Sequence, residues 1–451
     1  MIRKFIDREA ECDILYREWN SDGGRLIIIY GRRRIGKTRL ISEFIKEKSG
    51  VMFFAEEVPV RLQIEGFKAE VAGYLKDDLL LSLTIKSWSE FFTYLLKNPP
   101  EKRSYLIIDE FSYLIKSDKS ILSAIQKAWD RGLSDSPWCI ILSGSLLSLM
   151  SEYVLSYTSP LYGRRTRDML LSPLTFKDAK LFLQQDQKNS LKTYFTVGGV
   201  PEYLQKASDY KTFEEFISKE FFSNFGYFYR EPYFLLSQEF RELKTYQGIL
   251  SAIASGKTRP SEIAINCGIE TRKIYPYLEG LIMLGFIEKE RSILNKQKNS
   301  VYVIKDTLID FWYNFVHPNK GEIETGHYFN FDFNKYFGKK YEYFIRKEIA
   351  PLIFPGSQIG RWWHKGEEID LIAVNHETRT VVFGECKYGT KSATECLKIL
   401  SRLEKKSELV KINDDYKKKY ALFAGEIKDK NKINNKDYLI YDQDDLFVHL
   451  K

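Results

Sequence analysis

Residues 25–40 read Arg-Leu-Ile-Ile-Ile-Tyr-Gly-Arg-Arg-Arg-Ile-Gly-Lys-Thr-Arg-Leu. An apolar run ends at Gly31, a second glycine follows five positions later at Gly36, and Lys37-Thr38 comes directly after it. The pattern is G-x-x-x-x-G-K-[ST]. Successive backbone N–H groups of such a turn converge on an anion, and Gly36 lets the chain approach a phosphate closely. Lys37 neutralises the outer oxygens of a polyphosphate, and Thr38 offers a hydroxyl to Mg²⁺ at a helix N-terminus. The buried-strand run before the turn and the helix-like Arg39–Lys48 after it supply the context the motif needs. The expected cradle is Gly31, Arg34, Ile35, Gly36, Lys37, Thr38 and Arg39.

Three more segments fall into step with this one. Val51–Ala55 is a short apolar strand, and 61–98 is helical and rich in Leu and Phe. Tyr105-Leu-Ile-Ile-Asp109-Glu110 is a second buried strand ending in two acids, about 70 residues after the loop. At that distance Asp109 is suited to hold the Mg²⁺ shell and Glu110 to polarise the attacking water. Trp138–Ser145 is a third apolar strand, which brings Ser143 or Ser145 to the γ-phosphate, or else to a helix N-cap. Continuous apolar strands separated by helices imply a parallel sheet covered on both faces, with ligand at the strands' C-terminal ends. Upstream, residues 5–20 read as an amphipathic helix opened by Asp7, with Ile6, Leu15 and Trp19 as apolar points. Downstream, Arg164 and Arg165 are candidates for an arginine finger, in cis or toward a neighbouring subunit, or for an ion-paired face. A helical stretch over 174–195 ends at Gly198-Gly-Val-Pro201.

Residues 1–240 resemble the archaeal-type P-loop ATPases that stand near the AAA+ and STAND switch proteins. The matching pieces are Phe5-Ile-Asp-Arg8-Glu9, GRRRIGKT, LIIDE, LSGS, PLYGRR and GGVPEYL, in that order. The resemblance implies ATP and Mg²⁺ as cofactors, Ser145 as the γ-phosphate sensor, and Pro201 beside the adenine. It also implies a winged helix and a further domain downstream.

Phe221–Phe240 is dense in aromatic residues and reads as a packed linker. Tyr246–Ala254, a helix start at Arg259-Pro260, and Thr271–Leu284 are three helices. Phe286-Ile-Glu and Ser300–Ile304 flank a polar loop at Arg291–Asn299. This is the order of a winged helix-turn-helix, with Arg272 and Lys273 at the front of its third helix. Such a module either reads DNA or serves as a lid.

In the last third, Phe337–Ile349 is a helix, Glu367–Val374 a strand, and Thr380–Lys387 another. Fourteen residues separate Asp370 from Glu385-Cys386-Lys387. Residues two apart on a strand share a face, so Glu385 and Lys387 stand together, beside Asp370 if its strand pairs next door. Two carboxylates can bind a divalent metal, and an ammonium can orient or activate water. Residues 336–425 resemble the PD-(D/E)-x-K nucleases of the restriction-endonuclease-like superfamily, most closely the branch like Holliday-junction resolvases. The resemblance implies a metal role for Asp370 and Glu385, the lysine role for Lys387, and a helical acid at Glu342. The helical wheel offers Glu348 as an alternative. The proline that precedes the aspartate in that family is replaced by Ile369.

The chain of 451 residues is 44% hydrophobic and carries a net charge of +8, a mild excess that permits nucleic acid binding without demanding it. Five scattered cysteines and a charged N-terminus lead to the expectation of reduced thiols, no signal peptide, and a cytoplasmic protein. No apolar run approaches the roughly 20 residues that cross a bilayer. The expected fold is α/β throughout. A P-loop NTPase parallel sheet with a helical lid spans 1–240, a winged-helix module 241–325, and an α/β restriction-endonuclease-like domain 326–451. The expected activity is an ATP-hydrolysing switch gating a metal-dependent DNA nuclease. The rival is a non-cleaving, ATP-controlled platform for DNA or protein. Expected partners are ATP and DNA, with a second copy or a partner protein left open.

Overall fold

A computed structural model describes residues 8–294, 300–326 and 331–450. Two compact units divide the chain. The first comprises residues 1–174, 200–203 and 237–241, and the second 175–199, 204–236 and 242–451.

The first unit is a five-stranded, wholly parallel sheet. Its strands are β1 (Arg25–Tyr30), β2 (Gly50–Phe54), β3 (Ser104–Asp109), β4 (Trp138–Gly144) and β5 (Arg167–Leu170), in the order β2-β3-β4-β1-β5. Ile27, Ile28, Ile107, Ile108, Ile140 and Ile141 are all fully buried, so both faces of the central strands are covered. Continuous hydrophobicity is what a parallel sheet between helical layers requires. Leu26, Ile28, Leu106 and Leu142 share one core cluster with Phe67, Trp88 and Phe91, from the helices Val60–Leu75 and Trp88–Lys97. The helical region 61–98 is interrupted at Lys76, which takes a left-handed conformation and stops the first helix. The first helix described is Glu9–Trp19; Ile6 and Asp7, expected to open it, lie outside the described residues.

The second unit begins with the helices Gln187–Val197, Phe213–Glu220 and Tyr227–Glu239, the last of which runs on into the segment assigned to the first unit. The expected single helix over 174–195 is instead a short turn at Phe176–Ala179, a tighter turn at Lys180–Phe182, and a helix that starts at Gln187. Asp186 accepts the Asn189 N–H there, and this cap marks the true start. Of the aromatic stretch, Phe221 stacks on Phe228 with ring centroids 4.8 Å apart and meets Phe311 edge-on, whereas Phe225 is exposed.

Helices Leu243–Ala254, Pro260–Asn266 and Tyr275–Met283 follow, then an antiparallel hairpin of β6 (Ile287–Arg291) and β7 (Ser300–Ile304). Residues 295–299 of the expected polar loop lie outside the described residues. The third helix starts at Tyr275, not Thr271, because Pro276 favours the first helical turn; Arg272 and Lys273 lie in the turn before it.

A second sheet closes the chain: β8 (Gln358–His364), β9 (Glu367–Asn375), β10 (Thr380–Ser392), β11 (Lys417–Lys428) and β12 (Tyr438–Tyr441), in the order β12-β11-β10-β9-β8. β8, β9 and β10 are antiparallel neighbours, and β10, β11 and β12 are parallel. The helix Asn334–Phe344 precedes this mixed sheet, and Ala393–Ser407 connects β10 to β11. The first of these helices widens after Phe344: the Ala350 N–H bonds to the Ile345 carbonyl, five residues back. No described helix is long and apolar enough to cross a membrane.

Candidate functional site

Gly31 lies at the end of β1, where a Cβ would come within 2.9 Å of the Leu171 carbonyl oxygen, so only glycine lets β1 turn there. Gly36 has φ +95° and forms the N-cap of the helix Lys37–Phe44, whose first turn has no side-chain cap. Arg34 also adopts positive φ. Alternating left-handed residues in this turn make a concavity of N–H groups suited to an anion. Lys37 is 5% exposed and donates to the carbonyls of Gly31 at 2.9 Å and Arg32 at 3.1 Å. Burial lowers its pKa, with the charges of Glu110 and Asp109 opposing. Among the described residues no carboxylate oxygen pairs with its ammonium, so the cation is held in a position that suits an incoming anion.

The acids at the end of β3 meet this loop. Asp109 Oδ2 accepts the Thr38 hydroxyl at 2.6 Å, which is the pair of ligands a Mg²⁺ ion on a triphosphate needs side by side. Glu110 adopts a left-handed conformation at φ 53° and accepts the Ser145 hydroxyl at 2.5 Å. Ser145, directly after β4, and not Ser143 is therefore the residue joined to the strand-end acids; Ser143 Oγ is buried without a partner among the described residues. Because β4 runs between β1 and β3, its end lies between the loop and those acids. Pro201 opens the helix Pro201–Ala207, and its ring lies 3.9 Å from where a Gly36 Cβ would stand. Arg34 is ion-paired with Glu202. Ile35 is buried and packs below the turn, 3.2 Å from the position of a Gly31 Cβ. Arg39 follows Thr38 in the first turn of the helix. The residues present thus fit a nucleoside triphosphate with Mg²⁺.

The clustered arginines are engaged within their own unit. Arg164 grips Asp130 with two bonds of 2.7 Å, and Arg165 pairs with Asp168 at 3.0 Å. The ion-paired alternative is the one seen.

Sequence reasoning missed Glu239. It is half-buried, and its carboxylate accepts from the N–H groups of Leu147 and Ser148 and from the Ser148 hydroxyl at 2.9 Å, capping the helical segment that follows β4. Burial raises its pKa against those hydrogen bonds. Nothing local in the aromatic stretch that precedes it signals this role.

In the second unit, the antiparallel register that pairs Leu371 with Gly384 brings Asp370 and Glu385 side by side. Lys387 Nζ stands 2.9 Å from Glu385 Oε1 and 3.7 Å from Asp370 Oδ2. Asp370 Oδ2 also accepts the Cys386 N–H at 2.9 Å. Burial, then the Glu385 charge, raises the Asp370 pKa to about 6. Burial alone would lower that of Lys387, but the carboxylates outweigh it and raise it. Glu342 faces the same group: burial and the Asp370 charge push it up to about 7. Glu348 does not join them. It accepts from the Tyr194 hydroxyl at 2.6 Å and the Phe176 N–H at 2.8 Å. Glu385 Oε2 is buried and has no hydrogen-bond partner among the described residues. Among the described residues no three His, Cys, Asp or Glu side chains converge as a ready cage. Two carboxylates, with an orphaned oxygen and an ammonium holding the countercharge, still fit a divalent cation that keeps water ligands.

The glycine-rich turn, the strand-end acids and the parallel sheet define a P-loop nucleotide-binding domain. Residues 5–207 match the model of an ATPase domain found predominantly in Archaea, and residues 312–399 match that of archaeal and bacterial proteins of unknown function. A Methanocaldococcus jannaschii protein, MJECL04, is 35% identical over 457 residues, covering 98% of this chain and 99% of its own. The chain belongs to the family of archaeal ATPase-domain proteins that includes it. A second M. jannaschii protein, the ATP-binding protein MJ0423, is 50% identical over 44 residues, 10% of this chain and 75% of its own. Among solved structures, the Walker-type ATPase PABY2304 of Pyrococcus abyssi is similar with a TM-score of 0.49 and 21% identity, over 69% of this chain and 96% of that one.

Proposed function

We propose that the protein is an ATP-hydrolysing switch whose nucleotide state gates a metal-dependent DNA nuclease centre at Asp370, Glu385 and Lys387. The domains are read as 1–240 for the ATPase with its helical lid, 241–325 for a winged helix-turn-helix, and 326–451 for a nuclease-like module. One observation carries the nuclease reading. The Lys387 ammonium lies between two carboxylates on adjacent strands, and one oxygen of Glu385 is buried with nothing bonded to it. Glu43 and Glu288 also leave one carboxylate oxygen unbonded, but each pairs with a lysine by itself; at Lys387 two acids on adjacent strands share one ammonium, which leaves carboxylate capacity for a cation.

At the nucleotide site, Lys37 leaves the loop carbonyls for the phosphate oxygens, while Thr38 and Asp109 would hold Mg²⁺. Glu110, released from Ser145, takes a proton from the attacking water, and Ser145 is then free to read the γ-phosphate. Pro201 lies along the base. At the acidic centre, Asp370 and Glu385 would hold a divalent cation, which supplies Lewis-acid stabilisation of the phosphodiester. Lys387 orients the water, and Glu342, with its pKa near neutrality, carries a proton to or from it.

The rival reading, a platform that binds DNA without cutting, is favoured by Ile369 in place of the nuclease proline. Incubating the purified protein with Mn²⁺ or Mg²⁺ and branched, single-stranded or duplex DNA separates the two. Cleavage that disappears in Asp370→Ala supports the nuclease. Salt-dependent binding with no cleavage supports the platform. Phosphate release that is lost in Glu110→Gln tests the switch.

A further inference from the structure

We infer that the β6–β7 hairpin is a positioning element for the acidic centre: Glu290 on β6, acting through Arg346, holds the backbone of Asp370. This rests on the reading of Asp370 and Glu385 as a metal-holding pair.

The hairpin is built into the sheet. Beyond β6, the Ile293 N–H donates to the Arg361 carbonyl at 2.9 Å. Ser292 Oγ accepts the Trp363 N–H at 3.0 Å and donates to the Trp363 carbonyl at 3.3 Å. Residues 292 and 293 therefore satisfy the free edge of β8, which would otherwise present unpaired backbone groups. The register of β8 shifts between Gly360 and Trp362, where the Arg361 carbonyl receives Ile293. A Cβ on Gly360 would stand 3.1 Å from Ile293 Cβ. The Ile293 side chain is itself buried in the cluster formed by Trp362, Ile369, Ile372 and Phe383.

Glu288 and Glu290, two apart on β6, are used in different ways. Glu288 pairs with the half-exposed Lys347 at 3.2 Å and bonds the Tyr343 hydroxyl, and makes no bond of its own to Arg346. Glu290, its side chain 10% exposed, bonds two arginines, Arg346 at 3.1 Å through Oε1 and Arg361 at 2.5 Å through Oε2. The other terminal nitrogen of Arg346 donates to the Asp370 carbonyl at 3.2 Å in buried surroundings. The chain of contacts thus runs from hairpin carboxylate to guanidinium to the peptide unit of Asp370. On its side-chain end Asp370 is fixed by Cys386 N–H. Removing Glu290 leaves a buried guanidinium without its carboxylate, and that costs the geometry of whatever it holds. A hairpin committed in this way on its acidic face acts as a strut for the sheet and not as a free arm on a phosphate backbone.

The test is Mn²⁺ binding by the full chain, measured calorimetrically, together with hydrogen exchange at the Cys386 amide. Glu290→Gln is expected to weaken Mn²⁺ binding by about 10- to 100-fold, the usual effect of losing a partner that orients a ligand, and to speed exchange at Cys386. Glu288→Gln, on the same strand face, keeps an amide oxygen for the Tyr343 hydroxyl and gives up only the charge facing Lys347, so it is expected to leave both readouts within about 2-fold of wild type. Arg346→Lys keeps the charge but cannot span Glu290 and the Asp370 carbonyl, so it should reproduce the Glu290→Gln defect and decides the matter if that variant does not fold. Wild-type affinity in Glu290→Gln or, where that variant is unfolded, in Arg346→Lys overturns the inference. So does an equal loss in Glu288→Gln. If Asp370→Asn binds Mn²⁺ as tightly as wild type, the metal reading beneath it fails instead.

Discussion

Replacing Lys37 by methionine keeps the aliphatic stem and removes the ammonium. In the free protein that ammonium is almost wholly buried and, among the described residues, is held by the Gly31 and Arg32 carbonyls. Burial lowers its pKa, so the folded state gives up the proton more readily than the unfolded chain. The charge therefore costs stability at neutral pH, and the cost fades only in the alkaline range above the depressed pKa. Two charge-assisted bonds to carbonyls offset part of it. These opposing effects predict that Lys37→Met changes the stability of the nucleotide-free protein by about 1 kcal/mol or less. Binding is different, because the ammonium then faces phosphate charge. A hydrogen bond to a charged group is worth about 1.5–3 kcal/mol, so affinity for Mg·ATP should fall by roughly 10- to 150-fold. Titration calorimetry with Mg·ATP, alongside thermal unfolding with and without nucleotide, measures both quantities. Unchanged affinity, or a nucleotide-free protein destabilised by several kcal/mol, would refute the reasoning.

Glu110→Gln should cut phosphate release by about 10²- to 10⁴-fold while leaving ATP affinity within a few-fold, as single-turnover kinetics and calorimetry would show. Asp370 and Glu342 have pKa values raised to about 6 and about 7; a cation needs Asp370 deprotonated, and its charge favours proton loss from Glu342 nearby. Mn²⁺ affinity should therefore rise between pH 5.5 and 8, with protons released on binding as seen in buffers of different ionisation enthalpy. The same shift means that the folded state binds the Asp370 proton more tightly than the unfolded chain does, so stability is lost as pH rises from the unfolded value to about 6. Asp370→Asn should accordingly raise the unfolding temperature at pH 8 and not at pH 3.5. In Gly144→Ala, the new methyl carbon would lie 2.3 Å from Met150 Sδ at the end of β4, in a fully buried site. A loss of about 1–3 kcal/mol is expected, partly restored by Met150→Ala, and denaturant unfolding would measure it.

The phosphate loop was legible because its signal is local: a short turn, residues 31–36, with a fixed glycine at each end, then a helix. The strand-end acids were legible for the same reason, since Leu106–Asp109 carries its own ending. Sheet order was not. That β4 lies between β1 and β3 depends on pairings such as Ile27 with Ile141, which span more than a hundred residues and leave no mark on either strand. Two strand residues of the acidic centre, Glu385 and Lys387, were readable from their period of two, and Asp370 from its neighbouring strand. The helical acid was ambiguous because an ideal wheel turns Glu348 inward. The helix widens at Ile345–Ile349, and Glu348 is drawn instead to Tyr194, which no pattern on one helix could reveal. Arg346 had a readable cue, since it follows Glu342 by four residues and shares its face. Glu239 had none, because its partners, Leu147 and Ser148, are some ninety residues away.

Residues 200–203 and 237–241 belong to the first unit although the chain on both sides of each belongs to the second. The backbone therefore changes unit five times along its length, and no single peptide bond separates the halves. A protease that nicks one exposed loop should leave both pieces held by the remaining crossings. A gene fragment ending near residue 240 would strand three helices without Phe344, Phe337 and Trp312, which meet Phe195, Phe213 and the Tyr229 carbonyl in turn. Selection on such a chain acts on the whole, because shuffling one half into another gene would require several simultaneous breakpoints.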